Sequence, residues 1–488
     1  MVNYKEKFDP NYYADLADDC AMIQAAVDEA AKTGDAVTIP RYNARTGKTV
    51  WDISRAIMLY TGSVIYLDNC HLRQADDVIT NIFRNSNNET EIGCTREGRQ
   101  SNIQIIGMGN CLLDGGIKNG LTEVNCAEYG VKSACENSMF NFMNVEQVTI
   151  RNIRITHHRY WAFVFHYSSH VQISGIDFYG PYHWRNQDGI DLRTGCSHFF
   201  IENLTGVLGD DVVAMTNLKN YRDELMAGCG YDDSIHNIVI RNIRATTRAS
   251  FVRVLNHGGK KIYNVLIQDL MFDAEADPTD PRVAGYEPIH PEAYQFSQHY
   301  GVRIGQCHYF GNGPMAQLGD TYNITVRNIT CRGLAAVNIG CAVSDVLIDN
   351  VRLYGEANTA AYFVQGVARN IMIRDVYYSE HCRPNPDHKH HDNRLIEVEY
   401  EGCEKDCEIM PEKQICMAYF KNTDADDITF RDVNVGKGVT AVFGGYGKVR
   451  VRTSNIKYHP QKHLSTVCLQ TVKWSAAYSE MPPAEVPC

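Results

Sequence analysis

At 488 residues, with 44% hydrophobic and 22% charged positions, the chain has the make-up of a folded protein rather than a disordered one. Its formal net charge of -11 excludes a general nucleic-acid binder, which would carry a basic face, and weighs against a strongly polyanionic ligand unless the cleft is locally basic. No run of about 18 apolar residues occurs, so no membrane span is expected.

In chain order, the opening text MVNYKEKFDPNYYADLADDC lacks the basic start and apolar core of a secretory signal. A signal removed beforehand would leave the same text. The 17 cysteines are an odd number without fixed spacing. Together these features lead to the expectation of a cytoplasmic protein whose cysteines act as small core hydrophobes. The alternative is a secreted protein with a few bridges.

Residues 18–33, DDCAMIQAAVDEAAKT, read as a helix. Asp18 or Asp19 caps it, Ile23, Ala26, Val27 and Ala30 form one apolar stripe, and Gly34 ends it. Helical text is then almost absent. Short segments recur in the form polar, Asn or Asp, apolar, x, apolar, x, Asn or Asp, apolar. Examples are SNIQIIGMG from Ser101, EQVTIRNIRI from Glu146, SHFFIENLTG from Ser197, HNIVIRNIRA from His236, YNITVRNITC from Tyr322 and DDITFRDVNV from Asp426.

Neighbouring copies often lie about 22 to 27 residues apart. Each is a period-2 strand too short to bury its own face, so copies must stack. The spacing is too short for the blades of a propeller, which need about 40 to 50 residues. The expected fold is all-β, a parallel β-helix (solenoid) whose Ile and Val positions fill the interior and whose open end is capped by the N-terminal α-helix. One domain is expected over 1–488, with a cap at 1–40, coils at about 50–455, inserted loops at 273–299 and 381–416, and a tail at about 456–488. The turn asparagines are expected to stack in ladders.

Two stretches carry chemistry. Residues 186–191 read NQDGID, and residues 209–211 read GDD. Asp188 and Asp210 are one coil apart, which places them on adjacent rungs, with Asp211 beside them. Close carboxylates repel and push their pKa values apart, which suits one to act as general acid and another as general base on a glycosidic bond. A hard-cation site is the competing reading of the same cluster. Asp191 points outward on its strand and is expected to be a solvated turn residue. Trp184, two residues before Asn186, is expected to be a sugar platform, whereas Tyr160 and Trp161 suit a sugar platform and a core or coil-edge role equally.

The coil pattern, NQDGID and VLGDDVVAM together resemble glycoside hydrolase family 28, the polygalacturonase family, whose hallmark is Asn-Thr-Asp followed about one coil later by Gly-Asp-Asp. IQAAVDEAAKTGDAVTIP resembles the family's entrance to the fold, IIGMGNCLLDGG its G-x-G-x-x-D-G coil, and HHRYWAFVFHYSSHVQI its S-P-x-W-x-x-H coil, with His166 displaced. The resemblance covers roughly residues 19–355 and implies a right-handed helix and an inverting hydrolase. In it, Asp210 protonates the leaving oxygen, and Asp188 and Asp211 position and deprotonate water. No metal and no cofactor is implied. Asn186, Trp184, Arg248, His257 and Arg303 are the candidate substrate-binding residues.

Three departures matter. Gln187 replaces the Thr. The coil TTRASFVRVLNHGGKK lacks the family's Gly-His-Gly, with Ser250 near the His position and Arg248 and His257 nearby. YGVRIGQ supplies Arg303 and Ile304 and then Gly305 where the family has Lys. That Lys grips a uronate carboxylate in the family, so a small or less charged glycoside is expected in place of polygalacturonan. The Pro-rich 273–299 insert is read as a cleft wall or as a solvent loop or oligomer contact. HCRPNPDHKHHD with Cys403, Cys407 and Cys416 is read as a surface loop or subunit contact, its spacing matching no standard zinc site. The expected partner is an oligo- or polysaccharide, with oligomer formation possible. Two other functions stay open: a lyase, epimerase or transglycosylase on the same scaffold, with Arg248 or Arg253 as a base, and a non-catalytic carbohydrate-binding β-helix.

Overall fold

The computed structural model describes residues 6–180, 186–272, 300–305, 314–332, 335–354, 359–379, 416–435, 441–458 and 472–475. Trp184 and both expected inserts lie outside them, apart from Cys416. Among the described residues, one compact unit takes in those up to Ala214 and Asn220–Val239. A second takes in Met215–Lys219 and those from Ile240 on.

The first unit begins with α1, Asp19–Thr33. Asp18 is its N-cap, accepting from the Ala21 N–H at 2.8 Å, and Gly34 at φ +78° ends it. The stripe of Ile23, Ala26, Val27 and Ala30 is buried. It packs on the first strands, Ala36–Pro40, Trp51–Ile53 and Ile57–Leu59, and so covers the apolar end of the stack.

The strands behind this cap pair in parallel and repeat with the coil. Gln100–Met108 pairs with Val145–Thr156, which pairs with Ser169–Tyr179, which pairs with Ser197–Leu208. Ile105, Ile150, Ile173 and Ile201 fall in one register column, and each is fully buried. Beside it runs an aromatic column in which Phe83, Phe140 and Phe163 stack with centroids 5.6 and 4.3 Å apart. Each such side chain removed from water contributes about 1.5–3 kcal/mol, so the column sets which rungs meet. Arg159, buried to 1%, bolts three segments together through the carbonyls of Gly115, Val78, Gln74 and Ala75.

The turn asparagines have a reason beyond their amides. Asn102, Asn152, Asn203, Asn237 and Asn242 all lie at φ between 55° and 60°. This left-handed region costs Asn less than most residues. The second unit repeats the device and adds the expected ladders, with Asn328 bonded to Asp269 at 2.7 Å and Asn350 to Asn328 at 2.8 Å. Its strands Ser250–Asn256, Tyr300–Ile304 and Ala335–Ile339 also pair in parallel. The fold is an all-β parallel β-helix with an N-terminal helical cap.

Helical text is not wholly absent after the cap. A short helix, α2, spans Tyr221–Met226 and is held by a capping box between Asn220 and Asp223. Cys20, Cys70, Cys111, Cys135, Cys196 and Cys229 are buried thiols. Among the described residues, no helix is long and apolar enough to cross a membrane.

Candidate active site

The one-coil spacing brings the three aspartates together. The Gly189 N–H donates to the Asp211 carbonyl at 2.9 Å, and Ile190 to Val212 at 3.0 Å, so NQDGID lies directly on the GDD coil. Gly189 marks the closest approach. A Cβ there would sit 2.5 Å from the Val212 carbonyl oxygen. One carboxylate oxygen from each of Asp188, Asp210 and Asp211 lies within 4.8 Å of the other two. Asp211 is fully buried, Asp188 is 6% exposed, and Asp210 is half-buried and open to solvent.

Backbone donors hold Asp210 in place. The Asn186 N–H reaches its Oδ2 at 2.9 Å, and the Asp211 N–H its Oδ1 at 3.2 Å. Asn186, in the left-handed region at φ 56°, thus serves the cluster through its main chain. Gln187, the departure from Asn-Thr-Asp, is fully buried, and its amide donates to the His158 carbonyl on the previous coil. His158 is also fully buried, and desolvation pulls its imidazole down to about 4, so it is neutral at pH 7.

Asp191 departs from expectation. It faces outward on its strand but is only 1% exposed, and neither carboxylate oxygen has a hydrogen-bond partner. Burial pushes its carboxyl well above the usual range; Arg193 opposes this, while Asp211, Asp210 and Glu123 add to it. Outward therefore does not mean solvated here, because segments inserted between the strands cover this face.

Trp161 and Tyr160 are buried, to 7% and 2% exposure. Trp161 lies against Tyr160, with centroids 4.6 Å apart, and the Arg193 guanidinium sits 5.0 Å from its ring centroid. The Tyr160 hydroxyl donates to Glu123 at 2.7 Å. Beside this stack is a cavity of about 180 Å³ whose walls include Glu123, Lys132, Tyr160, Trp161, Arg193 and Tyr221. His166 lines it as well. The 157–173 stretch singled out in the sequence supplies Tyr160, Trp161 and His166, but its other walls, Glu123, Lys132, Arg193 and Tyr221, come from separate segments that no spacing rule joins.

The remaining candidates belong to the second unit. Arg303 is 4% exposed, in register with Arg253 and Asn338, with its guanidinium 5.4 Å from the Tyr300 ring centroid. His257 is 3% exposed, and its Nδ1 accepts from the Lys219 N–H at 3.2 Å. Arg248 is half-buried. Ser250, near the family's histidine position, is fully buried and in register with Tyr300.

No family model matches the chain, and no curated protein does. Solved structures do. The A-module of an Azotobacter vinelandii mannuronan C-5 epimerase superposes with a TM-score of 0.55 at 13% identity, covering 92% of this chain and 97% of that one. A second A-module from the same organism gives 0.48 at 13% identity over 92% and 96%. A polygalacturonase from Erwinia carotovora gives 0.40 at 14% identity over 94% of each chain. The first of these similarities supports the β-helix fold.

Proposed function

We propose that the protein is a glycoside hydrolase that uses the Asp188, Asp210 and Asp211 cluster to cleave a glycosidic bond in an oligosaccharide or a related glycan. The observation that carries this is the meeting of three carboxylates from two adjacent coils within 4.8 Å, with the half-buried Asp210 facing out. A self-repelling cluster of this kind destabilises the fold and is kept for chemistry. Asp210 donates a proton to the leaving oxygen. The more buried Asp188 and Asp211 hold a water and take its proton.

The nearest oxygens of the cluster, within 4.8 Å of one another, leave less room between the carboxylates than the ~6.5–9.5 Å group separation of ordinary inverting pairs suggests. Inversion at this spacing places the water beside the carboxylates rather than between them. Proton NMR of the first-formed anomer reads the outcome: the inverted anomer is expected, and a retained anomer would make one aspartate a nucleophile.

Asp210→Asn keeps the side-chain size but cannot supply the proton. Turnover should fall about 10²-fold or more with the circular dichroism spectrum unchanged. A folded variant with near-normal turnover would remove the assignment.

The same three oxygens also have the type and spacing that bind a hard divalent cation. That favours elimination or epimerisation as the second reading. Hydrolysis predicts activity unchanged by chelator and products without an unsaturated chromophore. Activity abolished by EDTA and restored by Ca²⁺ would transfer the cluster to the second reading.

A further inference from the structure

The cavity beside Trp161 has a feature that the aspartate chemistry does not use. Trp161 has Tyr160 against it at 4.6 Å and the Arg193 guanidinium 5.0 Å from its ring centroid. With Tyr160 and Arg193 both against it and only 7% of it exposed, the indole serves as a bed for the arginine. A guanidinium seated over an indole is restrained there, and its planar fork matches a carboxylate or a sulfate.

Arg193 is a wall of the cavity, its Nε is buried without a hydrogen-bond partner, and no carboxylate among the described residues forms an ion pair with it. The nearby acids are otherwise engaged. Glu123 accepts from the Tyr160 hydroxyl. Asp191 is buried, with desolvation disfavouring its charged form, and so does not cancel the arginine. Exposed Lys132 adds a second cation to the walls.

The cavity is also tied to the cluster. The Ala162 N–H, next to Trp161, donates to the Asp188 carbonyl at 3.0 Å. Val164, which packs with Tyr160, Trp161 and Cys135, is the register partner of Asp191. At about 180 Å³, the cavity is smaller than the ~300 Å³ at which drug-sized ligand sites begin. It has room for about one ring.

We propose that this cavity is a binding site for a single sugar ring bearing an oxyanion, a carboxylate or a sulfate, gripped by the Arg193 guanidinium on its Trp161 bed. The proposal rests on the hydrolase reading for its ligand being a sugar. Glu123 and the Tyr160 hydroxyl then meet ring hydroxyls, and Lys132 closes the mouth over the charge.

Titration of the full chain, followed by tryptophan fluorescence and NMR, tests this with galacturonate, a galactose sulfate, galactose and sodium sulfate as probes. Both charged sugars should bind, and galactose and inorganic sulfate should bind roughly tenfold more weakly or worse, as expected for loss of a charge-assisted bidentate pair or of the ring. The order of the two charged sugars tells carboxylate from sulfate. Arg193→Gln should weaken both charged sugars by about tenfold or more, and Lys132→Gln by less. Galactose binding as tightly as the charged sugars, inorganic sulfate binding as tightly, or an Arg193→Gln variant with wild-type affinity would overturn the site. If that variant does not fold, the ranking of probes on the unaltered chain decides. Binding is read without turnover, so an Asp210→Asn variant that stays active while galacturonate still binds sinks the hydrolase reading and leaves the anion seat standing. The converse pattern sinks the seat alone.

Discussion

At the residue scale, Gly305 explains the missing lysine. Its φ is +78°, and a Cβ would lie 2.1 Å from Val343 Cγ2. The backbone there takes a left-handed path that leaves no room for a side chain, so a lysine at this position would be strained. Gly305→Lys should lower stability by about 1–3 kcal/mol through backbone strain and overpacking, read as a lower midpoint in thermal or denaturant unfolding. It should not confer activity on polygalacturonate; a stable variant that gains such activity would refute this account. The aspartates were readable from spacing alone, because 22 residues between Asp188 and Asp210 equal one coil. Asp191 was not readable. Period-2 alternation says which side of a strand a residue faces, and it cannot say whether a later segment will cover that side. Arg193 stayed hidden for the same reason, since its partner Trp161 and the cavity walls at Glu123, Lys132 and Tyr221 meet only in three dimensions.

At the scale of elements, α1 was legible in full, because cap, stripe and terminal glycine all agree. Asp18 does more than cap. It also holds Arg55 at 2.7 and 2.8 Å, and that hydrogen bonding keeps its carboxyl below the usual range. Asp18→Ala should cost about 1 kcal/mol, chiefly through the cap, since the exposed ion pair adds little. Chemical denaturation at neutral pH measures it, and an unchanged midpoint would deny the cap its role. By contrast, α2 escaped notice, because six residues are too few to show a helical period and its signal is confined to the Asn220–Asp223 box. The outer turns carry a histidine column that the repeat pattern places by register. His170 and His198 stack at 4.7 Å, and His236 meets His198 edge-on at 5.6 Å. His198 is lowered by burial and then by its two histidine neighbours, and His158 by burial. A histidine lowered in the folded state binds fewer protons there than when unfolded. Its stabilisation is therefore present above the unfolded value of about 6.5 and lost progressively as pH falls from there to the folded value, about 4 for His158. Unfolding midpoints should drop between about pH 7.5 and about pH 5.5, and His198→Asn should flatten part of that slope. A midpoint constant over this interval would contradict the column's effect.

At the scale of the whole molecule, charge and cavity size act in the same direction. A net charge of -11 repels a long polyanion at low salt, while a space of about 180 Å³ admits one ring. Initial rates should therefore be low on polygalacturonate and higher on its short oligomers or on a small, less charged glycoside. A rate on the polymer equal to that of a dedicated pectinase would show that other cations do the work of the absent lysine. The stacked architecture was the most legible feature, because the same apolar spacing recurs in copy after copy. The inserts were visible only as breaks in that spacing, and a break says nothing of what it will cover. The close contact at Gly189 also gives the site a reading frame. Gly189 must face the Val212 carbonyl for the three aspartates to meet, so adding or removing one residue within either strand turns the carboxylates to opposite sides. Additions at the corners leave the frame intact. The surroundings of the cluster can thus vary by lengthening corners, and any shift inside a rung disperses the three carboxylates in one step.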